Sequence, residues 1–207
     1  LYTKLNICTD MNVYTQINEP KDLKEGDKWL PCLVTKATEH RQAWQQPLLI
    51  THIDAVKHYQ YDIVPLLDQT VHCIGPKTYD RLKDMGFTNI NLHGLYAEDI
   101  KISSMPITPC TWLHGDRYSK DFGKFTGVTA IQTYTTSLNE ASLSEIQKMV
   151  TANNIPDKIF VYSSLVAERL QTFGAWPKTE LHHVESAEPK VEWDKWLKTQ
   201  AFYPGEE

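Results

Sequence analysis

The segment Val71–Phe87, VHCIGPKTYDRLKDMGF, decides the fold that the sequence predicts. Its apolar start ends at Gly75, as a buried strand does where it meets a turn. Pro76 suits the first position of a helix, and Gly86 is a typical residue for ending one. A strand, a glycine turn and a helix start leave backbone N–H groups beside the positive end of the helix dipole, which suits an anion. Spacing alone favours an ordinary βα turn, and two glycines of the dinucleotide fingerprint are missing.

The same alternation of strand and helix extends along the rest of the chain. Strands are predicted at Leu5–Thr9, Trp29–Thr35, Leu48–Thr51, Asn89–Leu92, Thr108–Leu113, Val128–Thr136 and Ile159–Tyr162. Helices are predicted at Asp54–Tyr61 and Leu143–Ala152. This pattern indicates an α/β protein with parallel sheets, in which ligands bind beyond the carboxyl ends of the strands. Polar residues fall at those ends in four places: His52, Gly75–Thr78, Gly115–Arg117 and Ser163–Ser164.

The composition is that of a globular protein, with 41% hydrophobic and 23% charged residues. No apolar run approaches the roughly 18 residues of a membrane span, and no signal peptide is visible, so we expect a cytoplasmic protein. The net charge of −5, without a basic block, argues against nucleic acid as a partner. The four cysteines, Cys8, Cys32, Cys73 and Cys110, lie far apart, so we expect free thiols rather than disulfides or a zinc site.

Five segments together resemble uroporphyrinogen-III synthases. IGPKTYDRLKDMGF resembles the V-G-x-x-T-A-x-x-L-x-x-x-G segment of that family, and four flanking segments follow the family's order. Leu48–Tyr59 is similar to its h-h-F-T-S strand and helix, and Thr111–Phe122 to a strand that ends in glycine before an arginine and a helix. Ile131–Thr136 is similar to its V-Y-x-T strand, and Ile159–Leu170 to a second h-h-F-x-S strand and helix.

The resemblance implies two flavodoxin-like α/β domains with parallel sheets, joined by a two-stranded linker, with one domain inserted into the other. Residues 1–34 and 134–207 would form the discontinuous first domain, and residues 35–133 the inserted second domain. The chain would cross between them at Leu33–Thr35 and at Thr133–Thr135.

The resemblance also implies an activity. The family are lyases that cyclise hydroxymethylbilane, a linear tetrapyrrole with several carboxylates, with loss of water and inversion of the last pyrrole ring, in haem biosynthesis. The chemistry needs help for a leaving hydroxyl, support for a developing cation and a cleft that holds the chain ends together. Neither cofactor nor metal is expected, and the expected state is a monomer with a small-molecule partner and no membrane or nucleic-acid partner.

Tyr134 is the catalytic residue that the resemblance implies, because it stands at the tyrosine of V-Y-x-T. A phenol near the site could donate a proton or hydrogen bond to the leaving hydroxyl. Read without the resemblance, Tyr134 is a cross-strand aromatic residue in an alternating strand, which is a common place for tyrosine.

The substrate-binding residues are expected at the turns, where backbone N–H groups can hold carboxylates. They are Thr51, His52, Gly75, Pro76, Lys77, Thr78, Gly115, Arg117, Ser163 and Ser164. Thr78 and Ser163 could instead be helix-start hydroxyls that satisfy backbone donors. His52 replaces the serine of the family's first motif, and it fits a carboxylate partner and a solvated strand end equally. Arg117 fits a carboxylate partner or an ordinary surface position.

One departure from the family concerns its second V/I-G-x-x-T-A corner, which usually follows the second F-x-S helix. Phe173–His183, FGAWPKTELHH, contains nothing similar. Two hypotheses therefore stay open: a minimal uroporphyrinogen-III synthase, or a non-catalytic binding or interaction module derived from this fold. A flavodoxin-like nucleotide binder is a weaker third, because no phosphate-loop motif is present.

Overall fold

The computed structural model of the chain describes residues 10–102, 107–173, 180–184 and 202–205. Its strands are β1 (Asn12–Tyr14), β2 (Lys28–Trp29), β3 (Leu33–Ala37), β4 (Leu48–Ile50), β5 (Thr70–Cys73), β6 (Asn89–Leu92), β7 (Cys110–Gly115), β8 (Val128–Leu138), β9 (Lys158–Val161), β10 (Glu180–Val184) and β11 (Phe202–Gly205). Its α-helices are α1 (Asp54–Lys57), α2 (Pro76–Asp84), α3 (Glu140–Thr151) and α4 (Ser164–Gln171). In these ranges, no helix is long and apolar enough to cross a membrane. The strand predicted at Leu5–Thr9 lies outside the described residues.

The chain divides into two compact units. The discontinuous unit consists of Leu1–Val34 with Ser137–Glu207, and the central unit consists of Thr35–Thr136. Each unit has its own sheet and its own buried side chains. The core of the discontinuous unit includes Val13, Ile146 and Ile159, whereas that of the central unit includes Leu48, Leu82 and Trp112.

The sheet of the central unit has the strand order β3-β8-β7-β4-β5-β6. Strand β4 pairs in parallel with both β5 and β7, and β6 and β8 extend the sheet on either side, also in parallel. The chain runs outward from β4 through β5 to β6, then returns to β7 on the other side of β4. The order therefore reverses between β4 and β7, and this topological switch point is where open α/β sheets bind ligands.

The sheet of the discontinuous unit has the order β11-β10-β9-β1-β2, again with parallel pairs. Counted along the chain, these described strands follow the flavodoxin order, with a switch point between β1 and β9. The predicted α/β class with parallel sheets is thus confirmed. In the central unit the five parallel strands follow instead the order 3-2-1-4-5, which is typical of dinucleotide-binding folds.

Short apolar runs form the central strands of the central unit because both faces of its sheet are covered. Leu48 and Ile50 of β4 lie in one core cluster of the central unit, and Leu49 between them lies in the other. Successive side chains of a strand point to opposite faces, so three consecutive apolar residues supply both cores.

The βα corner predicted at Val71–Phe87 is present. Strand β5 ends at Cys73, and α2 begins at Pro76. Gly75 between them has a φ of 77°, and Gly86 after the helix has a φ of 100°, both in the region that favours glycine. Leu82 of α2 is buried against the sheet.

Two expected helices are shorter than predicted. The Asp54–Tyr61 segment is helical only to Lys57, because Tyr59 turns away and its hydroxyl accepts a hydrogen bond from the N–H of Ala43 at 2.8 Å. The helix that the resemblance implied after Arg117 is a single 3₁₀ turn, Phe122–Lys124. Asp121 caps that turn by accepting a bond from the N–H of Gly123 at 3.0 Å, and Phe122 is fully buried.

Candidate functional site

The candidate site lies at the carboxyl edge of the central sheet, around the switch point. Thr51 and His52 follow β4 directly, and Gly115 is the last residue of β7. Tyr134 of β8 is paired with Gly115 across the sheet, at a register shift between His114 and Gly115. Such bulges redirect side chains and are frequent beside functional sites.

Gly115 and Tyr134 are in unusually close contact. A Cβ atom on Gly115 would lie 2.5 Å from Cζ of the Tyr134 ring and within 2.9 Å of both Cε atoms. These are the atoms at the hydroxyl end of the ring, so that end lies over the carboxyl terminus of β7. Only 6% of the Tyr134 surface stays exposed.

Two histidines flank the Tyr134 ring. His58 stacks on it, with 5.6 Å between the ring centroids and 28° between the planes. Nε2 of His58 is 2.8 Å from Oγ1 of Thr35, which anchors the imidazole. His52 approaches at 6.4 Å between centroids, and its side chain is 59% exposed. The ring therefore has two imidazole neighbours, the half-buried His58 and the solvent-facing His52.

Asp54 supplies negative charge at the same edge. It is buried, with Oδ2 3.5 Å from Nδ1 of His52 and Oδ1 3.8 Å from Nζ of Lys57. Thr133, which is also buried, donates a hydrogen bond to the carbonyl of Ala55 at 2.8 Å. This bond ties α1 to β8, so the residues on these two elements hold a fixed relation.

His114 lies on the opposite face of β7 from Gly115. Its ring stacks on Trp112 at 4.1 Å and meets Tyr118 edge-on at 5.5 Å. Its Nδ1 lies 2.6 Å from the carbonyl of Gly115. Burial lowers the pKa of His114, although the bond to Gly115 and the charge of Asp121 act in the opposite direction. The imidazole is therefore neutral near pH 7.

The Gly75–Thr78 corner follows the neighbouring strand β5. The N–H of Gly75 donates to the carbonyl of Gly94 at 2.8 Å, so this group is already used within the protein. Thr78 is buried, whereas Pro76 and Lys77 are exposed. The helix itself cannot pair the N–H groups of Lys77 and Thr78 in its first turn, and these remain the donors suited to an anion.

Arg117 lies two residues beyond β7 and is exposed. The loop that bears it is held by Asp116, whose N–H donates to the carbonyl of Tyr134 at 3.1 Å. Oδ1 of Asp116 accepts a bond from the N–H of Thr136 at 2.8 Å. Arg117 therefore extends from a fixed loop beside the site.

Ser163 and Ser164 lie in the discontinuous unit, after β9 and at the start of α4. Ser163 is only 2% exposed, and its hydroxyl has no hydrogen-bond partner among the residues that the structure describes. It does not cap α4, which excludes the helix-start role considered for it. A buried hydroxyl without a partner costs about 1–3 kcal/mol.

The described cysteines are poor nucleophiles. Cys32, Cys73 and Cys110 are free and buried, as predicted, and Cys8 lies outside the described residues. Burial raises the pKa of Cys32 to about 12, and those of Cys73 and Cys110 to about 11. In the ranges that the structure describes, no three His, Cys, Asp or Glu side chains are grouped to hold a metal ion.

The structure brings together His52, Gly115 and Tyr134 of the predicted residues, with Thr51 beside them. The Gly75–Thr78 corner and Arg117 lie at the same edge of the same sheet, whereas Ser163 and Ser164 belong to the other unit. Sequence reasoning missed His58, Asp54 and His114 as site residues. The place of His114 directly before Gly115 could have indicated that it is a site residue. No sequence pattern marks His58 as a neighbour of Tyr134.

Comparison with known proteins identifies the fold. The crystal structure of uroporphyrinogen-III synthetase from Helicobacter pylori 26695 is similar, with a TM-score of 0.61 over 93% of this chain and 100% of that one. The sequence identity is 10%, so the likeness concerns the fold. No protein-family model matches the sequence, and no curated protein sequence matches it.

Proposed function

We propose that the protein is a uroporphyrinogen-III synthase, a cofactor-free lyase that closes hydroxymethylbilane with inversion of its last pyrrole ring. The observation that carries the proposal is the position of Tyr134, whose hydroxyl end lies over Gly115 at the switch point of the central sheet. The similarity of fold over nearly the whole chain to a synthase of this kind supports it.

The proposed roles follow from the surroundings of each group. Tyr134 donates a proton or hydrogen bond to the hydroxyl that leaves as water. Thr51, His52 and Arg117, together with the first-turn N–H groups of Lys77 and Thr78, hold carboxylates of the substrate. His58 keeps the Tyr134 ring in place through its stack and its bond to Thr35.

Substitution of Tyr134 by Phe tests the proposal. The variant keeps the ring and its packing but loses the proton donor, and general acid assistance is worth roughly 10²–10⁴-fold. The unmodified protein and Tyr134→Phe are supplied with hydroxymethylbilane, and the type I and type III isomers are separated after oxidation. We expect type III formation to slow by that factor in the variant, and the product to shift toward type I, which forms without inversion.

Tyr59→Phe is the matched control. Tyr59 packs against the core cluster that contains Tyr134. Its hydroxyl accepts a hydrogen bond from the N–H of Ala43. Its loss should leave the isomer ratio unchanged. A folded Tyr134→Phe protein with the original rate and ratio removes the tyrosine from the mechanism, and absence of type III product with the unmodified chain favours the non-catalytic binding module. Thermal unfolding of each variant excludes a damaged fold.

A further inference from the structure

We propose that Nε2 of His114 accepts a hydrogen bond from a pyrrole N–H of the bound tetrapyrrole. This inference rests on the proposed function, since it names the part of that ligand which His114 contacts. It concerns a residue that the expected carboxylate-binding set does not include.

The hydrogen bond at Nδ1 determines which nitrogen is the acceptor. The carbonyl of Gly115 can only accept, so the proton of a neutral imidazole must lie on Nδ1, which is 2.6 Å away. Nε2 then presents a lone pair. A lone pair repels an ionised carboxylate, which also only accepts, and attracts an N–H donor.

His114 is half-buried at the carboxyl edge, and the hydrogen bond that its ring makes in the part of the chain that the structure describes is at Nδ1. The ring is held between Trp112 and the edge of Tyr118, so the direction of Nε2 is set by packing. An acceptor held in this way loses little conformational entropy on binding.

The chemistry of the ligand class supplies the complementary group. With its carboxylates ionised, uroporphyrinogen has only its pyrrole N–H groups as donors, and hydroxymethylbilane has in addition the hydroxyl whose departure Tyr134 is proposed to assist. The proposed carboxylate-binding groups are all donors, and a neutral His114 is an acceptor at the same carboxyl edge. Because both groups lie at the carboxyl edge of the sheet, a ligand that lies across the end of β7 can contact residues on both of its faces.

The surrounding charges keep this acceptor neutral. Burial lowers the pKa of His114, and Asp121 is the acidic group that raises it. Asp121 is itself paired with Lys124, whose Nζ is 3.7 Å from Oδ2. Lys120 is bonded to the carbonyl of Ile100 at 3.0 Å, and Tyr118 touches the ring edge. Protonation of His114 at low pH would place a proton on Nε2 and remove the acceptor.

The test compares two ligands that have the same carboxylates. In uroporphyrinogen III, kept anaerobic, the pyrrole rings can tilt and present their N–H groups, whereas in uroporphyrin III these groups face the centre of a flat ring. Binding of each to the full chain is measured between pH 5.5 and 8. We expect His114→Phe, which keeps an aromatic ring on Trp112, to weaken uroporphyrinogen binding about 3–10-fold, the scale of one hydrogen bond. Uroporphyrin binding should stay unchanged.

His114→Gln restores an acceptor through its amide oxygen, and we expect it to recover at least part of the lost affinity without the loss at low pH. If the unmodified protein binds both ligands, two results for His114→Phe would overturn the inference. One is an equal loss of affinity for both ligands, and the other is no loss of affinity for either. Failure of the unmodified protein to bind either ligand, or to form type III product, overturns the proposed function instead. If the His114→Phe protein does not fold, the comparison is made with His114→Gln alone. We expect this variant to keep its affinity for uroporphyrinogen and to lose the dependence of that affinity on pH.

Discussion

At the scale of single residues, the contact between Gly115 and Tyr134 determines the shape of the candidate site. Any side chain at position 115 would overlap the hydroxyl end of the tyrosine ring, because the nearest ring atom would lie 2.5 Å from its Cβ. Glycine is required at position 115 because the Tyr134 ring lies so close to the backbone there. The ring in turn fills the space that a side chain would occupy. The two residues therefore act as one unit, in which a side chain at position 115 would require the ring to move.

Gly115→Ala should destabilise the protein by about 1–3 kcal/mol, the usual range for overpacking a core. The reason is steric, so the cost should shrink when the ring is absent. A double-mutant cycle with Tyr134→Ala, followed by chemical unfolding, measures this coupling. Equal costs of Gly115→Ala in both backgrounds would contradict the close contact. Gly123→Ala, where the nearest atom would be 3.2 Å away, is the control expected to cost less.

At the scale of elements, a histidine pair links two strands at the carboxyl edge. His72 lies in β5 and His93 directly follows β6, and Nδ1 of the first is 2.8 Å from Nε2 of the second. One ring must donate and the other accept, so the contact needs at least one neutral imidazole. Burial lowers the pKa of both rings below 6.5, and for His72 the neighbouring His93 adds to this effect.

The histidine pair predicts that the central unit becomes less stable in mild acid. Because the pKa values of the two histidines are lowered in the folded state, the unfolded chain binds protons at a higher pH than the folded chain does. The stability of the folded state is therefore lost as the pH falls from about 6.5 through the lower folded-state pKa values. The midpoint of thermal unfolding should therefore drop between pH 7.5 and 5, and less steeply in His72→Gln/His93→Gln. Some dependence of the unfolding midpoint on pH should remain in this double variant, since burial also lowers the pKa of His114. An identical slope in the double variant would exclude the pair as its source.

At the scale of the whole molecule, each unit contains the side chains that form its own core. The two core clusters of the central unit consist only of residues between Ala43 and Tyr134. The cluster of the discontinuous unit draws on both of its segments, from Val13 and Cys32 to Leu170. The central unit is therefore continuous in sequence and has core clusters of its own, as an independently folding domain has.

A fragment of residues 35–136 should fold by itself. Strands β4–β7, most of β8 and the buried residues of both core clusters lie within this range, so the fragment keeps the core that the structure describes for this unit. Circular dichroism with thermal unfolding should give a cooperative transition, and the Ile50→Asp fragment, with a charge at a fully buried position, should give none. A non-cooperative transition in the unmodified fragment would show that the central unit depends on the rest of the chain.

The sequence by itself determined the α/β class, the strands β4–β9 to within a few residues and the βα corner around Gly75. These follow from local rules: short apolar runs form strands, and glycine and proline limit the backbone where a helix begins. The same rules place polar residues at strand ends, so His52, Gly115 and Arg117 could be selected as candidates before the strand order was known.

Only the tertiary structure decided which candidates meet. The pairing of β7 with β8 puts the Tyr134 ring over Gly115, and α1 brings His58 under it from a position far away in sequence. It also determined that the N–H of Gly75 is already bonded, that the hydroxyl of Ser163 has no partner among the described residues, and that Nδ1 of His114 lies beside the carbonyl of Gly115. Each of these facts depends on contacts between distant segments, and sequence patterns report only what neighbouring residues impose on one another.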